Sequence, residues 1–321
     1  HLKVLDLSHN MFQGELSLSR PSFYSSLQHL PISIERVDLS NNRLKGPLPS
    51  SFFRDAGNLT YFNVSNNIFT DTIPGTLCGG SPLLKFLDVS INEFSGEIPL
   101  RGCSQLQVLR MNSNKFSGMV PGDIYHIQTL QELNMASNQL HGPIASGIGN
   151  LTRLSILNLE FNQLSGRLPG DVGRLSKLKR LVLNMNLLNG SISVLMNCAA
   201  LEEMNLWFNQ FEGDMSNLNF SKLVQLRILD LGFNAFDGEY PTTLYSCNSL
   251  RAIRLGGNKL RGEISPSFQN LTSLTFLSLL NNSLTDISRA IRILMGCKNL
   301  EILALGGNFI GEVIPNDILT T

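Results

Sequence analysis

Thirteen asparagines recur along the chain at an almost constant spacing, and no other feature of the sequence restricts the fold as strongly. After the first interval the spacing stays between 22 and 26 residues. The recurring residues are Asn10, Asn42, Asn67, Asn92, Asn114, Asn138, Asn162, Asn186, Asn209, Asn234, Asn258, Asn282 and Asn308. Eight residues before each stands leucine, or Ile34 in one case, with further apolar residues five and three before it. A period of this length indicates one supersecondary unit per repeat.

The alternation before each asparagine predicts a short strand. Neighbouring side chains of a strand point to opposite faces, so Leu157 and Leu159 are predicted to point inward, and Asn158 and Glu160 outward. Stacked repeats share one core, in which each leucine contributes roughly 1.5–3 kcal/mol. The asparagines are predicted to form an inner ladder, because an unpaired buried amide costs about 1–3 kcal/mol. The predicted fold is an α/β solenoid: a leucine-rich repeat right-handed superhelix, with a parallel β-sheet on its concave face and short helical or 3-10 turns on its convex face.

Residues 1–321 are predicted to form a single leucine-rich repeat domain of thirteen repeats. The 42% hydrophobic content provides for a large core, and the net charge of zero argues against a nucleic-acid partner. No apolar run reaches the roughly 18 residues of a membrane span. Neither end carries an atypical capping repeat. We therefore expect the chain to be a fragment of a longer repeat array, with exposed end repeats that favour aggregation.

The five cysteines cannot all pair with one another. Four of them stand three residues before a strand-opening leucine, in a position that isoleucine or leucine holds in other repeats. We therefore predict buried thiols rather than disulfides at Cys103, Cys198, Cys247 and Cys297. Cys78 lies in an irregular loop, and its redox state stays open.

Seven Asn-x-Ser/Thr triplets are candidate N-glycosylation sites. They begin at Asn58, Asn63, Asn150, Asn189, Asn219, Asn270 and Asn281. Asn150 and Asn270 fall in turns on the predicted convex side. Asn63 and Asn281 fall on outward strand positions of the third and twelfth repeats, where glycans would restrict the two ends of the concave face.

No sequence motif of an enzyme is present. We find no nucleophile elbow, phosphate-binding loop, zinc-protease motif or paired Cys-x-x-Cys, and the five histidines lie at scattered positions of the repeat. We therefore predict no catalytic residue, no metal site and no cofactor in this chain. A curved array of strands predicts a binding surface instead.

Outward residues change character from the seventh repeat onward. Early repeats carry small polar residues such as Asp38 and Ser40, whereas the pairs before the later ladder asparagines include the only tryptophan and several phenylalanines. Two interpretations stay open: a surface ladder of packed rings, or a platform for a ligand. The candidate peptide-binding residues are Glu160, Phe161, Asn184, Trp207, Phe208 and Phe233.

Three arginines lie beside this aromatic column. Arg227 and Arg251 hold equivalent outward positions in adjacent repeats, and Arg254 lies one pleat further on. Strands are about 4.8 Å apart, so the three guanidinium groups are predicted to converge on one sulfate or carboxylate. Ion pairs with Glu202 or Glu203 are the alternative.

One repeat departs from the pattern. After Asn282 the usual glycine and proline are missing, and residues 286–294 have apolar side chains at helical spacing. We predict a helix from Asp286, which caps its N-terminus, with Arg289 and Arg292 facing solvent. The predicted apolar face consists of Ile287, Ala290, Ile291 and Leu294.

The Gly-x-Ile-Pro form of the repeat resembles the extracellular domains of plant leucine-rich repeat receptor kinases. Within that class, residues 284–297 followed by Asn308 and Phe309 resemble the receptors of tyrosine-sulfated PSY peptides, and then the phytosulfokine receptors. The resemblance implies a secreted, tyrosine-sulfated peptide hormone as ligand. It also implies a co-receptor kinase with a short leucine-rich repeat ectodomain as partner. Such receptors often have arginine where this chain has Trp207, which leaves the sulfate pocket unassigned.

The same resemblance implies a location on the extracellular face of the plasma membrane. A membrane helix and a cytoplasmic Ser/Thr kinase domain would lie outside this chain. Two alternatives remain from the sequence: a polygalacturonase-inhibitor-like protein with the same repeat, or a receptor for another immune or developmental ligand. We expect an acidic or sulfated peptide to lie across repeats seven to eleven, with its anionic group near Arg254.

Overall fold

The computed structural model describes residues 1–16 and 30–314. The chain divides into two compact units, residues 1–164 and 165–321. Each unit is a leucine-rich repeat solenoid, as predicted, in which every repeat contributes one inner strand to a parallel sheet. None of the helices within the described ranges is long and apolar enough to cross a bilayer.

In the first unit seven inner strands pair in parallel, each with the strand of the next repeat. They are β1 (Val4–Asp6), β3 (Arg36–Asp38), β5 (Tyr61–Asn63), β7 (Phe86–Asp88), β9 (Val108–Arg110), β11 (Glu132–Asn134) and β13 (Ile156–Asn158). Outer strands follow them: β2 (Gln13–Glu15), β4 (Arg43–Gly46), β6 (Ile68–Phe69), β8 (Ser95–Gly96), β10 (Lys115–Gly118) and β12 (Gln139–Gly142). The turns contain α1 (Leu77–Gly80) and 3-10 helices at Ser50–Phe53, Gly122–His126 and Ser146–Asn150.

The second unit repeats this arrangement with six inner strands. They are β15 (Arg180–Val182), β17 (Glu203–Asn205), β19 (Ile228–Asp230), β21 (Ala252–Arg254), β23 (Phe276–Ser278) and β25 (Ile302–Ala304). The outer strands are β16 (Leu187–Gly190), β18 (Gln210–Asp214), β20 (Ala235–Gly238), β22 (Lys259–Glu263) and β24 (Ser283–Thr285), while β14 (Gln163–Arg167) contains the boundary between the units. The turns contain α2 (Ile287–Met295) and 3-10 helices at Gly170–Arg174, Ser193–Asn197, Met215–Asn217, Phe220–Lys222, Thr242–Ser246 and Pro266–Asn270.

The asparagine ladder is confirmed. In the seventh repeat, the Asn162 Nδ2 donates to the carbonyl oxygens of Met135 at 3.0 Å and of Leu159 at 3.1 Å. The Asn162 Oδ1 accepts from the Leu140 N–H at 3.0 Å. One amide therefore satisfies backbone groups of its own repeat and of the preceding one, which closes the turn after each strand. We call the outward side of the inner strands, together with the two outward residues that follow each strand, the ladder face.

Helix α2 is confirmed, and so is its cap. The Asp286 carboxylate accepts from the Arg289 N–H at 2.9 Å. A second cap was not predicted: the Glu312 carboxylate accepts from the backbone N–H groups of Asp286 at 2.8 Å and Ile287 at 2.7 Å. Arg289 and Arg292 are exposed, as predicted. The prediction of the buried face is correct for Ala290 and Leu294 and wrong for Ile287 and Ile291, which are only half-buried, while Ile293 is buried.

The prediction of a buried thiol at Cys103 is wrong. Cys103 forms a disulfide with Cys78, with Cα atoms 4.8 Å apart. The pairing arises because the turn after β6 contains α1, which places Cys78 beside the loop of the next repeat. The other three cysteines, Cys198, Cys247 and Cys297, are buried thiols as predicted. Burial raises the pKa of the Cys198 and Cys247 thiols to about 11.

Candidate ligand-binding site

Three aromatic side chains form a cluster on the ladder face of the second unit. The ring centroids of Trp207 and Phe208 are 5.4 Å apart, and those of Trp207 and Phe233 are 6.0 Å apart. Phe208 is 50% exposed and Phe233 is 49% exposed. The rings therefore contact one another as a packed ladder would, yet half of each phenylalanine remains open to a ligand. We call these three residues the aromatic cluster.

The backbone of this cluster is in an unfavourable conformation. The residue before the ladder asparagine has a left-handed backbone, with φ of 55° at Phe208 and 53° at Phe233. Asparagine adopts this conformation readily and holds the same position at Asn41 and Asn66. A bulky residue there costs about 1–2 kcal/mol. The same left-handed conformation holds Ile91, Phe161 and Met185 in other repeats, so it is a property of the repeat and not of the aromatic cluster alone.

Glycines shape the surface beside the cluster. A Cβ atom at Gly232 would lie 3.1 Å from the Trp207 ring, so the absence of a side chain lets the indole lie across this strand. A Cβ atom at Gly256 would lie 3.1 Å from the Leu280 carbonyl oxygen. Gly257 follows with φ of 68°. Residues 256 and 257 thus leave a gap in the column of side chains, next to Arg254.

Arg254 stands at the end of β21 with its guanidinium group on the ladder face. Its Nη1 lies 3.9 Å from the Asp230 Oδ2, and its Cζ lies 4.7 Å from the centre of the Phe276 ring. The Arg254 side chain is 43% exposed, whereas that of Asp230 is 11% exposed. Burial raises the pKa of Asp230, while the hydrogen bond from Gly232 and the charge of Arg254 lower it. The ion pair is long, so the guanidinium retains donors for a ligand.

A backbone donor beside Arg254 lacks a partner. In neighbouring repeats the residue at this strand position accepts the N–H group two residues later: Asn205 accepts from Trp207 at 3.2 Å, and Asp230 from Gly232 at 3.1 Å. Arginine has no acceptor, and no described residue accepts from the Gly256 N–H. A guanidinium and an unpaired N–H on one face are the donors that an oxyanion requires.

Arg110 holds the same strand position in the fifth repeat, but its guanidinium group is occupied by neighbouring carboxylates and is not available to a ligand. Both oxygens of Glu132 accept from it, at 2.7 Å from Nε and 2.9 Å from Nη2. Its Nη1 also lies 3.8 Å from Asp88. Of these two equivalent arginines, Arg254 is the one that can bind an external anion.

The structure does not bring the three predicted arginines together around one anion site. Arg251 donates its backbone N–H to the Arg227 carbonyl oxygen at 2.8 Å, so these two are neighbours. The Arg227 guanidinium lies 4.0 Å from Glu202, in agreement with the ion-pair alternative. Arg251 lines a different, open cavity of about 450 Å³, together with Thr272, Ser273, Thr275, Lys298, Asn299, Leu300 and Glu301. Arg254 is thus the arginine that lies nearest in sequence to the gap at Gly256.

The remaining predicted residues lie in different surroundings. Glu160 and Phe161 belong to the first unit, where Phe161 is 48% exposed and Asn158 donates to the Glu160 carboxylate at 3.2 Å. Asn184 belongs to the second unit and is only 5% exposed, and its Oδ1 has no hydrogen-bond partner. A ligand reaches Asn184 only at its edge.

The candidate glycosylation sites also differ in exposure. Those that are exposed are Asn58, Asn150, Asn219, Asn270 and Asn281. Asn189 and Asn63 are half-buried. The Asn63 amide is also engaged, because its Nδ2 donates to Asp38 at 3.3 Å and to the Tyr61 hydroxyl at 3.4 Å. No cluster of potential metal ligands occurs within residues 1–16 and 30–314.

The sequence analysis missed a second cluster, on the ladder face of the first unit. The rings of Tyr61 and Phe86 stack with centroids 4.3 Å apart and planes 6° apart. Arg36 covers the outer face of Tyr61 at 3.5 Å, and Arg110 lies 5.6 Å from the centre of Phe86. The available signal was the first residue of three consecutive inner strands, which reads Arg, Tyr and Phe.

The fold defines the class: a leucine-rich repeat solenoid. The Leucine Rich Repeat family model matches residues 1–24, 33–54, 58–79, 129–151, 153–175 and 249–271. Among curated proteins, the chain is similar to Receptor-like protein 3 of Arabidopsis thaliana, with 45% identity over 103 residues, which cover 32% of this chain and 14% of that protein. It is also similar to Phytosulfokine receptor 1 of the same species, with 51% identity over 49 residues, which cover 15% of this chain and 5% of that protein.

A solved structure is similar along almost the whole chain. It is the Arabidopsis receptor kinase HAESA in complex with the peptide hormone IDA and the co-receptor SERK1. The TM-score is 0.81 at 28% identity, over 98% of this chain and 59% of HAESA. The chain therefore resembles part of the ectodomain of a plant leucine-rich repeat receptor, and it spans a minor share of the curated relatives' length.

Proposed function

We propose that this chain is the extracellular ligand-binding segment of a plant cell-surface receptor, and that it binds a secreted, tyrosine-sulfated peptide on the ladder face of the second unit. The observation that carries the proposal is the aromatic cluster, in which Phe208 and Phe233 contact Trp207 and are each about half exposed. Exposed aromatic side chains of this kind mark interaction sites. In this proposal both units belong to one leucine-rich repeat domain, residues 1–321.

The chemistry of the site favours a sulfated tyrosine. Its ring would pack against Trp207 and Phe233, and its sulfate would accept from the Arg254 guanidinium and the Gly256 N–H. Each charge-assisted hydrogen bond contributes roughly 1.5–3 kcal/mol, and the planar guanidinium binds two oxygens at once. The long Arg254–Asp230 contact leaves this interaction available.

The relatives of this chain support the proposed partners and location. The HAESA structure contains both a peptide hormone and a co-receptor, which supports a peptide ligand and a co-receptor kinase with a short leucine-rich repeat ectodomain. The Cys78–Cys103 disulfide supports an oxidising, extracellular location. A receptor kinase and a receptor-like protein are both among the relatives, and we propose a cytoplasmic kinase domain in the intact protein.

Titration of the chain with N-acetyl-O-sulfotyrosine amide tests the proposal, with the unsulfated compound in a parallel titration. Trp207 is the only tryptophan, so its fluorescence reports on the site directly. We expect the sulfated compound to bind at least tenfold more tightly. Arg254→Ala should then weaken its binding about ten- to a hundredfold, since about 1.4 kcal/mol corresponds to tenfold. Arg261→Ala removes an exposed arginine from β22 and should change nothing.

Two results would oppose the proposal. Equal binding of the sulfated and unsulfated compounds would show that the sulfate is not recognised, and would favour a different ligand. Unchanged binding to both Arg254→Ala and Trp207→Ala would place the site elsewhere on the protein.

A further inference from the structure

The ladder face of the first unit has no role in the proposed function. Its centre is the stack of Arg36, Tyr61, Phe86 and Arg110, which crosses four adjacent strands. The stack is rigid, because each ring face is covered by another ring or by a guanidinium group. The edges of Tyr61 and Phe86 remain half-buried, so they present a narrow apolar strip to a ligand.

The charge of this face is distinctly negative. Among the described residues of this face, two arginines, Arg36 and Arg110, stand against five carboxylates, which gives these seven side chains a formal net charge of minus three. The carboxylates are Asp6, Asp38, Asp88, Glu132 and Glu160. Both arginines are already engaged: Arg36 donates to Asp38 at 3.2 Å, and Arg110 donates to Glu132. The field of the remaining carboxylates attracts a cationic partner and repels an anionic one.

Asp38 and Asp88 hold equivalent positions in their repeats, but their carboxylates differ in the number of hydrogen bonds that they accept. The Asp38 Oδ2 accepts from three donors: Arg36 at 3.2 Å, the Tyr61 hydroxyl at 3.2 Å and Asn63 at 3.3 Å. The Asp88 Oδ1 accepts from the Ser90 N–H at 3.0 Å. The Asp88 Oδ2 accepts no hydrogen bond from any described residue, and its one close cation is Arg110 at 3.8 Å. Burial and the charge of Glu132 raise the pKa of Asp88, while the hydrogen bonds from Ser90 and the charge of Arg110 lower it.

We propose that this face binds a basic, extended peptide segment, with a lysine or arginine side chain pairing with Asp88 and its methylene groups packed along the edges of Tyr61 and Phe86. Long cationic side chains cover apolar surface with their stems while the charged end finds a carboxylate. This basic segment differs from the sulfated tyrosine that the second unit is proposed to bind. The proposal stands on residues of the first unit alone.

Fluorescence anisotropy with a labelled, capped hexalysine peptide tests the proposal, with capped hexaglutamate as the opposite probe. We expect hexalysine to bind, and its affinity to fall as ionic strength rises. Asp88→Asn should weaken binding at least fivefold. The variant should fold, because Asn63 holds the equivalent position in the neighbouring repeat and accepts from Ser65 at 3.0 Å. Its melting temperature confirms this.

Matched controls separate a local site from diffuse attraction. Asp237→Asn makes the same change at an exposed position of β20, off the ladder face, and should alter hexalysine binding less than twofold. Arg254→Ala should leave it unchanged, which keeps this test independent of the sulfotyrosine site. Equal losses in Asp88→Asn and Asp237→Asn would overturn the proposal, as would hexaglutamate binding as tightly as hexalysine.

Discussion

Replacement of Phe208 by asparagine separates the two interpretations of the aromatic cluster. Asparagine relieves most of the about 1–2 kcal/mol that a bulky residue costs in the left-handed conformation. The change loses about 1 kcal/mol of burial, because Phe208 is half exposed and a fully buried phenylalanine contributes roughly 1.5–3 kcal/mol. It also loses ring contacts with Trp207 and Phe233, worth about 0.5–1.5 kcal/mol. These contributions nearly cancel, so the free energy of unfolding should change by less than about 1 kcal/mol.

Thermal unfolding and ligand binding measure the two sides of this prediction. Phe208→Asn should shift the melting temperature by less than about 4 °C, while the affinity for N-acetyl-O-sulfotyrosine amide falls at least fivefold. Leu206→Ala is the stability control, because Leu206 is fully buried and its truncation costs about 2–5 kcal/mol. A large loss of stability in Phe208→Asn with unchanged affinity would refute the reasoning, and would identify the rings as a structural ladder.

Three further predictions concern covalent chemistry. Iodoacetamide at pH 8 should label Cys198 and Cys247 only after unfolding, because pKa values of about 11 leave the buried thiols protonated. Mass spectrometry detects the modification, and rapid labelling of the native chain would contradict the prediction. Cys103→Ser should lower the free energy of unfolding by about 3 kcal/mol, and a reductant should then lower the stability of the natural chain but not of the variant. Glycopeptide mapping of the secreted chain should find glycans at the exposed Asn150, Asn219, Asn270 and Asn281 and none at Asn63, which is half-buried and whose amide donates to Asp38; a glycan on Asn63 would refute that assignment.

Much of the fold follows from the sequence because its determinants are local and repeated. The ladder asparagine recurs with its partners at fixed offsets, so Asn162 and its equivalents could be placed without coordinates. Helix α2 could be predicted for the same reason, since Asp286 and the apolar residues after it lie within three turns. Glu312, which caps the same helix from the following repeat, lies 26 residues from Asp286 and gave no local signal.

The parts that were not predicted depend on contacts between repeats. Cys103 has the same sequence context as the thiols of later repeats, and only the turn at α1 brings Cys78 within reach. The three arginines were grouped by sequence position, yet Arg251 borders another cavity, because it precedes its strand rather than lying within it. The unpaired N–H of Gly256 becomes visible only when Arg254 is compared with the accepting residues of neighbouring repeats.

The central claim is that an oxyanion on a ligand binds between Arg254 and the Gly256 N–H, with its ring on the aromatic cluster. The most direct measurement is a ¹⁵N-resolved NMR titration of the assigned chain with N-acetyl-O-sulfotyrosine amide. We expect the largest shifts at the Gly256 N–H and at the indole N–H of Trp207, and no such shift at the Asn112 N–H, which lies two residues after Arg110. Saturable shifts confined to other residues, with Gly256 and Trp207 unmoved, would contradict it.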